Sequence, residues 1–86
     1  MDPMELEAAV TRAVADLVVG GMVKLEITSS GKIGGVVVSQ RFQGMSHLGR
    51  QNFLWNVLSE RLPPEVLTKI VSILTMTPEE AFDDET

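Results

Sequence analysis

Cysteine and tyrosine are missing from these 86 residues, and histidine occurs once, at His47. The lack of cysteine excludes disulfides, thiolate metal ligands and a thiol nucleophile. One histidine alone cannot build a tetrahedral zinc site. Bases are also few, 7 against 12 acids, for a net charge of −5. Glu79, Glu80, Asp83, Asp84 and Glu85 fall in residues 77–86, which hold no base, so residues 1–76 balance seven acids with seven bases. A neutral body has no basic field with which to gather phosphates. No apolar run approaches the ~18 residues that a membrane span needs. The acidic start, Met1-Asp2-Pro3-Met4-Glu5, lacks the basic and apolar regions of a secretory signal. A soluble, cytoplasmic protein is the expectation.

What remains is ordinary globular material, 44% hydrophobic. The length suits one domain with a single core. Residues 1–81 read as that domain, and residues 82–86 as a solvated acidic tail. Asp2 as cap, Pro3 at the first helical position and Glu5 three residues after the cap open a helix. Leu6, Val10, Ala13, Val14 and Leu17 continue it as one apolar stripe up to Gly20-Gly21, where it is expected to stop. Val23 to Thr28 alternates strictly, as a strand with one wet face does. Ser29-Ser30-Gly31-Lys32 forms a turn, and Ile33–Ser39 is a second, more protected strand, so the two make an antiparallel hairpin. Gly34-Gly35 marks a candidate bulge.

Gln40–Met45 is a loop leading to Ser46, the cap of a second helix. Leu54, Val57, Leu58 and Leu62 share its inner face, with Leu48 and Trp55 beside them and Phe53 well off it. Pro63-Pro64 ends this helix, and a short turn leads into a third strand, Ile70–Met76. Thr77-Pro78-Glu79-Glu80 repeats the opening logic of cap, proline and glutamate. Strand two, helix and strand three form a crossover, which makes those strands parallel. The fold class is therefore α+β in the order α-β-β-α-β-α, a three-stranded mixed sheet with helices packed on one face.

Val36-Val37-Val38-Ser39, the Phe42-x-Gly44-x-Ser46 turn, Arg50, the Pro63-Pro64 break, the strand Ile70–Met76 and Thr77-Pro78-Glu79-Glu80 follow one another at spacings that resemble the BolA family. The resemblance covers about half the chain by motif and nearly all of it by order of elements. It implies the same α+β fold, related to the KH class of nucleic-acid modules. It also implies a protein partner, a monothiol glutaredoxin, with which such proteins share a two-iron two-sulfur cluster. Their ligands are a histidine just before the third strand and a His or Cys from the hairpin loop. Here the first position is Lys69, and the turn Ser29–Gly35 holds neither His nor Cys. Gln51 stands at another position where the family usually has histidine. The expectation is therefore a chain with no cofactor or metal ligands of its own.

Catalysis has no good candidate. Ser46 beside His47 is better explained as a cap, since adjacent helical residues do not face one another. Gly31-Lys32-Ile33-Gly34 is similar to the GxxG loop of KH domains, but that loop joins two helices and this one lies in a hairpin. Arg41, Arg50, Arg61 and Lys69 are widely spaced bases that could line a nucleic-acid edge. Phe53, off the buried stripe, is either an interface anchor beside arginine or packed within the domain. Phe42, Gly44 and Ser46 read as structural: a buried anchor, a turn glycine and a cap. The reading is a non-enzymatic, BolA-like adaptor or regulator with a monothiol glutaredoxin or related iron–sulfur factor as partner. Arg50, Phe53 and Lys69 are the partner-binding candidates. The alternative is a KH-related nucleic-acid-binding, transcriptional regulator.

Overall fold

In a computed structural model, which describes residues 2–82, the chain runs α1 (Pro3–Ala13), β1 (Met22–Ile27), β2 (Ile33–Val38), a 3-10 turn (Gln40–Phe42), α2 (His47–Arg61), α3 (Pro64–Leu67), β3 (Ile70–Met76) and α4 (Pro78–Phe82). The sheet order is β1-β2-β3, with β1 antiparallel and β3 parallel to the central β2. This is the expected mixed sheet. Two short helical turns, Gln40–Phe42 and α3, are added within segments read as connections. α4 reaches Phe82, one residue past the boundary drawn at 81, and the rest of the acidic tail lies outside the described residues.

The apolar stripe of α1 is buried as read, from Leu6 and Val10 through Val14 and Leu17. The helix itself stops at Ala13, well before Gly20. The carbonyls explain why. In a continuing helix Ala13 C=O would accept from the amide of Leu17. Instead Leu17 N–H bonds to Val14 C=O at 2.9 Å, and Ala13 C=O takes Arg61 Nη1 at 2.7 Å. Leu17 C=O likewise accepts the hydroxyl of buried Ser39 rather than an amide of its own turn. Long-range donors thus end the helix, and tighter turns carry Val14 and Leu17 into the core. The cap at Asp2 is real but simpler than a capping box: its carboxylate accepts from Met4 N–H at 2.9 Å.

α2 supplies Leu54 and Leu58, and its capping residue Leu62, to a core they share with Leu6, Val10, Ile33, Val37, Phe42 and Ile73. Burying a leucine fully is worth roughly 1.5–3 kcal/mol. Leu48, read as flanking the buried face, is instead exposed, because at 3.6 residues per turn it lies well round the helix from the buried Arg50, Leu54 and Leu58. Gly35 pairs with Leu25, and a Cβ there would collide with the carbonyl oxygen of Lys24. Glycine is therefore needed in this strand for close approach. The irregularity lies on the partner: Ile33 pairs with Ile70 and Gly34 with Ser72, so Val71 of β3 is the extra residue.

Candidate functional site

The turn before α2 is built as its residues require. Ser39 caps the 3-10 turn by accepting from Arg41 N–H at 3.0 Å, Phe42 is wholly buried, and Gly44 takes φ 81°. Ser46 then accepts from Gly49 N–H at 3.0 Å and starts α2. These contacts fix where Arg50, Gln51 and Phe53 emerge.

Arg50 is buried, its side chain only 7% exposed. Its Nε donates to Met45 C=O at 3.2 Å, and Nη1 reaches Thr75 C=O at 3.5 Å. The guanidinium forks onto Glu80, with Nη1 to Oε1 at 2.7 Å and Nη2 to Oε2 at 3.0 Å. Two parallel charge-assisted bonds give this pair a defined geometry. Glu80 also accepts from Thr77 N–H at 2.9 Å, while Thr77 Oγ1 accepts from Glu80 N–H at 3.3 Å. The capping box at Thr77 is thus reciprocal, and Arg50 holds it onto α2. The bonds from Arg50, then that from Thr77 N–H, pull the Glu80 carboxyl down from 4.5 to about 2. Arg50 is therefore fully engaged inside the chain.

Gln51 acts beside it. Its Nε2 donates to Ile73 C=O at 2.8 Å, and its Oε1 accepts from Trp55 Nε1 at 3.3 Å. Ile73 and Thr75 turn these carbonyls away from β2, so α2 side chains cover the outer edge of β3 there.

Phe53 is half-buried and packs against the core. Its ring meets that of Phe42 edge to face, 6.2 Å between centroids at 85°, and the Arg41 guanidinium lies 5.7 Å from its centroid. Both geometries are favourable for an aromatic with its edge and face in use. Lys69 is exposed at the entrance to β3, held by backbone bonds to Val66 C=O at 3.0 Å and from Ile33 N–H at 2.8 Å. Arg50 touches Thr75 near the far end of β3, so Lys69 lies roughly 20 Å away along the strand. Arg50 and Phe53 are brought together within one turn of α2; Lys69 is not. His47 is exposed at the first position of α2.

The hairpin turn offers hydroxyls and backbone: Thr28 Oγ1 bonds Ser30 Oγ at 3.0 Å and accepts from Lys32 N–H at 3.1 Å, with Gly31 at φ 79°. Among the described residues no group of three or more His, Cys, Asp or Glu side chains could hold a metal ion. A protonated ammonium at Lys69 and hydroxyls in the turn do not fit an iron–sulfur cluster, whose irons take thiolates and imidazoles. No described helix is long and apolar enough to cross a membrane.

One feature escaped the sequence reading. The sheet face away from the core carries a shallow trough lined by Lys24, Glu26, Gly34, Val36, Ser72 and Leu74 among others, with Leu74 60% exposed. Alternation in β1 signalled a wet face there. Nothing marked Leu74 as part of it, because Ile73 and Leu74 are adjacent apolar residues that must face opposite sides of β3, and their apolarity alone does not say which is buried.

No protein-family model and no curated protein matches the chain. Solved structures do. A Bol-like protein from Babesia bovis superposes with a TM-score of 0.68 at 19% identity, covering 92% of each chain. BolA1 from Arabidopsis thaliana gives 0.69 at 20% identity, over 87% of this chain and 94% of that one. At such identity it is the architecture that is shared, and it is shared over most of the chain. The chain has a BolA-like α+β fold.

Proposed function

We propose that this chain is a non-enzymatic BolA-like adaptor that acts by binding another protein. The partner class is a monothiol glutaredoxin or a related iron–sulfur factor, and the chain adds no cluster ligand of its own. The BolA-like fold supports the family side of this reading. The observation that carries protein over nucleic acid is the pairing of its arginines. Arg50 and Arg61, half of the bases available to a nucleic-acid edge after Lys32, are ion-paired to Glu80 and Asp16. The Arg61 bond holds the Asp16 carboxyl below its ordinary range. That leaves Arg41 and Lys69 at separate places on a body without net charge, too little to neutralise a run of phosphates. Phe53 with Arg41 supplies the aromatic and guanidinium groups that anchor protein interfaces.

Calorimetric titration tests this with two titrants, an apo monothiol glutaredoxin and a 20-mer duplex DNA at two salt concentrations. A glutaredoxin complex near micromolar is expected, weakened roughly tenfold by Arg41→Glu. DNA binding should be no tighter than about 10 µM at physiological salt. A tight, steeply salt-dependent DNA complex, or no glutaredoxin complex, overturns the reading.

A further inference from the structure

The phase of the β1–β2 ladder decides which backbone groups of β1 face outward. Thr28 N–H bonds to Lys32 C=O at 2.7 Å, and the register continues through Glu26 opposite Gly34, Lys24 opposite Val36 and Met22 opposite Val38. Hydrogen-bonded and open pairs alternate along an antiparallel ladder. The N–H and C=O groups of Met22, Lys24 and Glu26 therefore face β2, and those of Val23, Leu25 and Ile27 face away from it. Among the described residues no hydrogen bond reaches these outward groups. An unpaired row of this kind is a template for another strand.

The side chains specify which strand fits. We propose that two copies of this chain pair their β1 strands antiparallel about a two-fold axis at Leu25, joining two three-stranded sheets into one. In that register the outward backbone groups match: Leu25 faces Leu25 of the second copy, and Val23 faces its Ile27. Lys24 then stands opposite Glu26 of the second copy, and Glu26 opposite its Lys24, so both charges are matched twice. The neighbouring registers that keep the hydrogen-bond phase place Lys24 opposite its own copy, or Glu26 opposite its own. Like charges directly opposite are destabilising, and opposite charges stabilising. Charge therefore selects a single register. Val23 and Leu25 are only half-buried and Ile27 is 36% exposed, so the pairing also covers apolar surface. A pairing of six-residue strands buries less than the roughly 1,600 Å² of a standard interface, so the dimer is weak, with Kd on the order of 100 µM.

Sedimentation velocity from about 10 µM to 1 mM, a range set around that Kd, reads the association directly. Lys24→Glu places two glutamates opposite one another in each pair, and Glu26→Lys places two lysines. Each single change should weaken the dimer roughly tenfold. The double exchange, Lys24→Glu with Glu26→Lys, restores opposite charges and should return Kd to within about threefold of the wild type. Net charge alone predicts something else: it would weaken Lys24→Glu and strengthen Glu26→Lys, since the protein is already negative. Both residues are exposed, so all three variants should fold, which circular dichroism checks. A wild type that stays monomeric across the range overturns the proposal. So does a dimer indifferent to the single changes, or one that the double exchange fails to rescue.

Discussion

The two edges of the sheet are finished in opposite ways. On β3, Gln51 and Arg50 reach down from α2 to the carbonyls of Ile73 and Thr75. On β1, the corresponding groups of Val23, Leu25 and Ile27 make no hydrogen bond among the described residues. An edge strand invites pairing unless something covers it. The covered edge also carries a charge-assisted polar network, in which Arg50 ties α2, β3 and α4 together through Glu80. The contrast shows that positions looking like surface chemistry in the sequence can be structural closures. On the proposed reading, the surfaces left for a partner are Phe53 with Arg41, Lys69 and the β1 edge.

Breaking the closure at Arg50 should have the largest effect. Arg50→Met keeps much of the side-chain volume but leaves Glu80 without its cation and the Met45 and Thr75 carbonyls short of donors. Hydrogen bonds to charged groups are among the costlier ones to lose, and small domains convert such losses into large shifts. A fall in Tm on the order of 10 °C is expected by calorimetry at pH 7. The same variant sharpens the role of Glu80 through pH. Its folded carboxyl titrates at about 2 against an ordinary 4.5. The stabilisation is therefore complete above about pH 4.5 and is lost as pH falls towards 2. The gap in Tm between wild type and Arg50→Met should close over that window. A constant gap would mean that Arg50 contributes by packing rather than by its pair.

Gln51→Ala tests the other half of the closure. It orphans the Ile73 carbonyl and removes the acceptor for Trp55, and should cost about 1–2 kcal/mol, read from urea unfolding. An unchanged midpoint would show that water replaces the amide without loss. The smallest effect belongs at the carboxyl end. Phe82 is 56% exposed, and the network stops at Glu80. Deleting residues 82–86 should move Tm by no more than a few degrees. A larger drop would place Phe82 on the core.

Order and type of element were legible because they rest on local signals: the stripe in α1, the alternation in β1, the proline stops and the caps. The buried anchor at Phe42, the turn at Gly44 and the cap at Ser46 were legible for the same reason. Arg50 was visible as a position of interest, but its role was not, because Glu80 lies thirty residues on and only the fold brings them together. Gln51 read as a departure from a family pattern, whereas its partner Ile73 is a backbone carbonyl, which leaves no mark in a sequence. The end of α1 was misplaced on the same ground. The glycines suggested a stop, and distant side chains, Arg61 and Ser39, imposed an earlier one.

The proposal that this chain meets an iron–sulfur partner without ligating its cluster is tested most directly by visible circular dichroism of a monothiol glutaredoxin carrying its two-iron two-sulfur cluster. Adding wild type should leave the cluster bands nearly unchanged, because Lys69 is a cation and the Ser29–Gly35 turn holds no His or Cys. Lys69→His should produce a small change, and Lys69→His with Ser30→Cys the largest. A wild-type spectrum already shifted as by histidine ligation, through His47 or a neutral Lys69, would contradict the account.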